Sequence, residues 1–130
     1  MRKEPLFLTL AEVLDFHEYQ IGRFGGEVGI RDVGLLESAI AQPHASYGGA
    51  WLHKDIFAMA AAYAFHLCKN HPFLDGNKRT AMVSALVFLE INGVSLLDPK
   101  EKLPEAIENI ATNTLDKESF AELLRQLPRE

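Results

Sequence analysis

Residues 56–67 read "IFAMAAAYAFHL", and nearly every position is apolar. Spread over the segment Asp55 to Asn70, the side chains of Ile56, Phe57, Met59, Ala60, Ala61, Tyr63, Ala64 and Leu67 cover almost every side of a helix. Such a helix has little polar face to turn to water, so it belongs at the centre of a domain with neighbours around it. The run is only about two-thirds of a membrane span and carries His66, which argues against a bilayer crossing.

The surrounding segments read as those neighbours. Thr9-Leu10-Ala11-Glu12 is a capping-box sequence, followed by Leu10, Val13, Leu14, His17 and Ile21 at helical spacing and closed by Gly25-Gly26. Asp32 caps a second helix with Leu35, Leu36, Ala39 and Ile40 on its buried face, stopped before Pro43. A loop over residues 43–54 holds Gly48-Gly49 between Tyr47 and Trp51, a pattern for a short hairpin. After the central helix, Thr80 to Asn92 is helical again, with Gly93 just past its end. Pro104 is expected at the first position of a fifth helix, Glu105 to about Thr112. Asp116 caps a sixth, with Phe120, Leu123, Leu124 and Leu127 along one stripe.

The expectation is an all-α fold: one compact bundle of six helices over residues 1–130, with at most a small hairpin. At 48% apolar residues, the chain can close a core without metal or disulfide staples. The single cysteine, Cys68, cannot form an internal disulfide and is expected as a small buried hydrophobe. The N-terminal "MRKEPLFLTL" lacks the apolar run and cleavage site of a signal peptide, so a soluble cytoplasmic protein is expected. A net charge of −5 argues against a general nucleic-acid binder.

Between the central helix and the next lies "HPFLDGNKRT", residues 71–80. A tight loop here leads into a helix N-terminus, where backbone N–H groups lack internal partners and the macrodipole is positive. That is an anion site. Gly76 lets a phosphate approach the backbone, Asn77 can cap the helix or donate its side-chain N–H, and Lys78 and Arg79 add two cations. A polyphosphate is the natural ligand. It travels with Mg²⁺, which needs only one or two carboxylates; Asp75 is the only one in the motif. His71 can take a proton from an incoming hydroxyl. Pro72 and Phe73 read as structural.

These residues resemble the Fic/Doc family, whose signature is H-P-F-x-(D/E)-G-N-G/K-R. All positions but Leu74 match the Doc-branch form, and "GRFGG" (22–26), the loop at 44–53 and "ALVFLEINGV" (85–94) are similar at matching distances. The resemblance implies a toxin of a toxin–antitoxin pair. His71 would be the general base, Asp75 the Mg²⁺ ligand, Gly76 and Asn77 the anion cradle, and Lys78 and Arg79 the nucleotide-phosphate grip. Catalysis would rest on His71, Asp75 and Arg79. Residues Ser46, Tyr47, Gly48, Gly49, Ala50 and Trp51 would form a flap that aligns a target peptide by strand addition.

AMP-transferring members read G-N-G-R-x-x-R, whereas here the second glycine is Lys78 and the second arginine is Met82. The Doc branch shares both changes and transfers the γ-phosphate of ATP to a protein, with elongation factor Tu its best-known target. Doc has alanine where this chain keeps Gly76, which leaves AMP transfer as the alternative and an inactive, partner-binding fold as a third reading. The inhibitory helix [S/T]-x-x-x-E-[G/N] finds no match, because Thr114 to Glu118 is followed by Ser119. The brake is therefore expected from an antitoxin whose disordered tail folds onto an apolar groove.

Other features invite plainer readings. His66 and His71 are not at the i,i+4 spacing of a helical zinc pair, and His66 is expected as a hydrogen-bonded helix residue. His17, His44 and His53 take no role from sequence. Gly22, Gly25, Gly26 and Gly29 lack the G-K-[S/T] of a phosphate loop and read as turn residues. Arg23 is either a second phosphate grip or a solvated helix end. Tyr47 and Trp51 serve either local packing or target contact.

Overall fold

The structure, a computed structural model, describes residues 4–130. Six helices follow one another: α1 Leu10–Phe24, α2 Val33–Ala41, α3 Ile56–Asn70, α4 Asn77–Ile91, α5 Lys102–Ala111 and α6 Lys117–Gln126. Between α2 and α3 lie a 3-10 turn, Gln42–His44, and a hairpin of β1 Ser46–Tyr47 and β2 Ala50–Trp51. The fold is all-α, as the pattern required.

Helix α3 is the hub. Residues Ala58 to Ala64, with Leu67 and Cys68, are buried, and α2, α4, α5 and α6 all pack on it. Its alanines keep the surface low, so neighbouring axes can approach closely. Helix α1 reaches the bundle mainly through α4. At its start, the Tyr63 hydroxyl of α3 accepts from the buried Leu8 N–H at 2.9 Å. Burial pushes that hydroxyl up to about 12, so it stays protonated at ordinary pH.

The caps expected at Thr9, Asp32 and Asp116 are present, and Asp55 adds one beyond those expected. Thr9 and Glu12 form the reciprocal capping box, and Asp32, Asp55 and Asp116 accept from the N–H of Leu35, Ala58 and Ser119. Each is worth about 0.5–2 kcal/mol. One start matches the motif's placement and one differs from expectation. Helix α4 begins at Asn77, ahead of Thr80. Helix α5 begins at Lys102, because the Asp98 carboxylate accepts from the N–H groups of Lys102 and Leu103, both at 2.8 Å. Pro104 lies inside that first turn, where its missing N–H has no intrahelical acceptor to lose.

The hairpin pairs Ser46 with Trp51 and Tyr47 with Ala50. Gly48 and Gly49 both have positive φ (59° and 81°), as a two-residue turn of type I′ requires. Among the described residues no helix is long and apolar enough to cross a membrane.

Candidate active site

The loop 71–76 is held from three sides. Behind it, His71 closes α3 in the left-handed region at φ 51°. Arg31 fixes that turn: its Nε donates to the His71 carbonyl at 2.7 Å and its Nη2 to the Asn70 carbonyl at 2.9 Å. A cation thus satisfies two carbonyls that the helix end leaves open. Beneath the loop, Phe73 is fully buried and lies flat on the His17 ring, 3.7 Å between centroids and 7° from parallel. His17 Nε2 is 2.8 Å from the Asp75 carbonyl. A carbonyl only accepts, so His17 carries its proton on Nε2 and donates it.

The third support is the segment 25–32, which runs antiparallel to the loop. Arg31 and Asp32 donate their N–H groups to the Pro72 carbonyl, Leu74 N–H donates to Gly29, and Glu27 N–H donates to Asp75 Oδ2 at 2.7 Å. Gly26, at φ 123°, lies so close that a Cβ would meet Asp75 Cβ at 3.1 Å. It is therefore a packing glycine against the motif as well as a turn residue.

Asn77 has a second task besides its place at the start of α4. Its side chain is buried; Oδ1 accepts from the Phe73 N–H at 2.9 Å and Nδ2 donates to the Phe73 carbonyl at 3.0 Å. It braces the loop internally. It does not cap α4, and it lies on the cleft lining beside Gly76 and Lys78. Gly76 has a packing reason of its own to be glycine. Its φ of 79° demands glycine, and a Cβ there would meet Ile21 at 3.1 Å and His17 at 3.5 Å.

The result is a helix start with no side-chain cap at α4, whereas the other five helices all have a side-chain oxygen on an N-terminal N–H. A cleft of about 550 Å³ opens over it. His71, Asp75, Gly76, Lys78 and Arg79 line its polar end. Met82 of α4 and Pro104, Ile107 and Ala111 of α5 form an apolar wall, with Cys68 at the base. Burial raises the Cys68 thiol above its ordinary range, so it stays an unreactive apolar surface.

Within the cleft the polar groups differ in commitment. The His71 imidazole is exposed and has no hydrogen-bond partner among the described residues. The Arg79 guanidinium lies 4.3 Å from the centroid of the Phe24 ring and pairs with no carboxylate among the described residues. Lys78 is engaged: its Nζ donates to both oxygens of Glu108, at 2.9 and 3.1 Å. Asp75 Oδ2 is held by Glu27 N–H, and its other oxygen takes no protein donor among the described residues. The described residues contain no group of three or more metal-ligating side chains. One free carboxylate oxygen suits magnesium that arrives with phosphate and keeps its own waters.

Arg23 does not line the cleft; its guanidinium lies 5.7 Å from the Phe24 ring. The hairpin residues do not line it either. Trp51 packs edge-on against Phe7, while Tyr47 is exposed. His66, as expected, is hydrogen-bonded, to Lys117. Sequence reasoning missed Arg31, His17 and Glu108. All three act across long stretches of chain, and no local pattern marks them.

Residues 7–89 match the Fic/DOC family. The chain is 40% identical to Toxin Doc of Mycolicibacterium smegmatis over 100 residues, covering 75% of this chain and 77% of that protein. It is 36% identical to Protein kinase doc of Escherichia phage P1 over 116 residues, covering 89% of this chain and 90% of that protein.

Proposed function

The chain belongs to the Fic/DOC family, and from that premise we propose that it is the toxin of a toxin–antitoxin pair that transfers the terminal phosphate of ATP to a protein hydroxyl. It acts as one domain in the cytoplasm. The target is a translation factor such as elongation factor Tu, and the brake is an antitoxin whose tail orders on binding.

One observation carries the reading of phosphate transfer: the division of the cleft. Its polar end holds the open start of α4, Arg79 and His71, and its other wall carries the apolar Met82, Pro104, Ile107 and Ala111, with Glu108 holding Lys78 beside them. A base and ribose suit the apolar side chains of that wall, where the nearby ammonium of Lys78 is already taken by a carboxylate. The triphosphate tail then points toward His71. Lys78 stands at the polar end where AMP-transferring relatives have glycine.

In this pose His71 takes the proton of the target hydroxyl, contributing about 10²–10⁴-fold. The hydroxyl oxygen forms a bond to the γ-phosphorus, the bond to the β,γ-bridging oxygen breaks, and ADP leaves. Arg79 and the N–H groups of α4 offset the charge on the transferring group. Magnesium bound to the triphosphate would neutralise further charge, with Asp75 as its protein ligand. Arg31 keeps His71 in its turn, and His17 keeps the Asp75 backbone in place. The exposed hairpin edge supports strand addition by the target.

AMP transfer is the second reading. Gly76 was its best support, but a Cβ at that position would lie against Ile21 and His17. Glycine is thus explained by packing against α1, which weakens its bearing on nucleotide orientation. The test is incubation with γ-labelled or α-labelled ATP and a cell extract. Label is expected on protein from the γ-position only, and His71→Ala should remove it. Transfer from the α-position alone would establish nucleotidyl transfer in its place.

A further inference from the structure

Glu108 has no place in the chemistry above, yet it faces the cleft. It sits on α5, thirty residues from Lys78, and both its oxygens receive the Lys78 ammonium. The two side chains are 57% and 51% exposed, so the pair is accessible to a ligand entering from solvent. Of the two motif cations, Arg79 is open and Lys78 is occupied by this carboxylate. A polyphosphate carries anionic oxygens of the kind that Glu108 presents. It must compete with Glu108 for the Lys78 ammonium, whose charge the carboxylate already neutralises.

We propose that Glu108 is an internal anion that holds Lys78 in place of a phosphate and thereby sets the nucleotide affinity of the cleft. This rests on the phosphate-transfer reading, whose ligand it concerns. Because the pair is exposed, its strength is modest, and displacement costs little. The device therefore tunes affinity and does not block the site. It acts on binding and leaves the reacting atoms alone, so its signature is a change in KM and Kd without one in kcat. It also couples the site to α5, since the carboxylate that must give way belongs to that helix.

The test is calorimetric binding of ATP and of inorganic tripolyphosphate to the full chain, compared among wild type, Glu108→Gln, Lys78→Met and the double variant. Glu108→Gln is expected to tighten both ligands by roughly threefold to tenfold, more at low salt than at high. In the Lys78→Met background most of that gain should vanish, because there is no ammonium to release. Glu105→Gln, on the same helix but outside the cleft, should leave binding unchanged and controls for surface charge. In transfer assays Glu108→Gln should lower the KM for ATP and leave kcat alone. A lowered kcat would make Glu108 a positioning partner of Lys78 and overturn the proposal. So would an equal gain in both backgrounds, which would mean simple repulsion. If wild type and variants all fail to bind either ligand, the nucleotide reading itself fails; if they bind with equal affinity, only the role of Glu108 does.

Discussion

Two arginines of this chain sit in opposite circumstances. Arg125, on α6, donates to Asp55 through Nε and Nη2 and to Glu118 and Glu122 through Nη1. Only 17% of its side chain is exposed. Burial alone would raise the Asp55 carboxyl, but the hydrogen bonds from Arg125 and Ala58 outweigh it and hold it below the usual carboxylate range. Arg79, on α4, lies over the face of Phe24 and pairs with no carboxylate among the described residues. The first cluster is closed on itself and joins α6 to the start of α3. The second is left open over an uncapped helix start. Paired charges hold elements together, whereas unpaired ones in a cleft retain binding capacity for something else.

That contrast breaks most sharply under matched substitutions. Arg79→Met should lower transfer by about 10²–10³-fold, as loss of one charge-stabilising donor does, with no fall in the melting temperature. Arg125→Met should do the reverse, costing about 1–2 kcal/mol of stability while transfer at low temperature stays near wild type. Denaturant melts beside labelled-ATP assays check both. If Arg79→Met destabilises the fold as much as Arg125→Met, the open cluster is structural too and the comparison falls.

Asn77 lies between the two types, being a motif residue that faces inward. Asn77→Ala leaves the N–H and carbonyl of Phe73 without partners and should cost about 2–3 kcal/mol. Asn77→Asp keeps the acceptor but sets a buried carboxylate oxygen against the Phe73 carbonyl, so its cost should be at least that of alanine. Urea unfolding ranks the three. An alanine variant as stable as wild type would return Asn77 to the ligand-binding role that its place in the motif suggested.

Most of the scaffold was readable in advance because its signals are local. The apolar run of α3 demanded a central helix, and the caps at Thr9, Asp32 and Asp116 each act within three residues. Where a cap acts from further away, the reading slipped: Asp98 reaches four and five residues ahead and starts α5 before Pro104. The motif itself gave the place of the site. It could not give the supports, because His17 reaches Asp75 across 58 residues, Arg31 reaches His71 across 40, and Glu108 reaches Lys78 across 30. Such pairs leave no periodicity. They also add roles, since the side chain of Asn77 braces two buried backbone groups of Phe73.

The closed side of the comparison has a further member, with the smallest expected effect. Lys117 Nζ lies 3.2 Å from Nε2 of His53 and of His66, and an ammonium can only donate. Both imidazoles must therefore be neutral in the fold. Burial, then Lys117, then His53 bring His66 down to about 4, and burial with Lys117 lowers His53 too. The unfolded chain takes up these protons near the ordinary histidine value of about 6.5. The folded state resists until lower pH, so the unfolded state binds more protons in between, and stability falls as pH drops from about 6.5 toward 4. His66 is partly solvated, so the loss should be only about 1 kcal/mol. Urea midpoints between pH 7 and 4.5 measure it, above the range where the lowered Asp55, Asp116 and Glu122 carboxyls titrate. Replacing both histidines with glutamine keeps an acceptor for Lys117 and should flatten the slope. A slope unchanged in that variant would place the proton uptake outside this cluster, and the fold's second closed charge group would lose its role in holding α3 to α6.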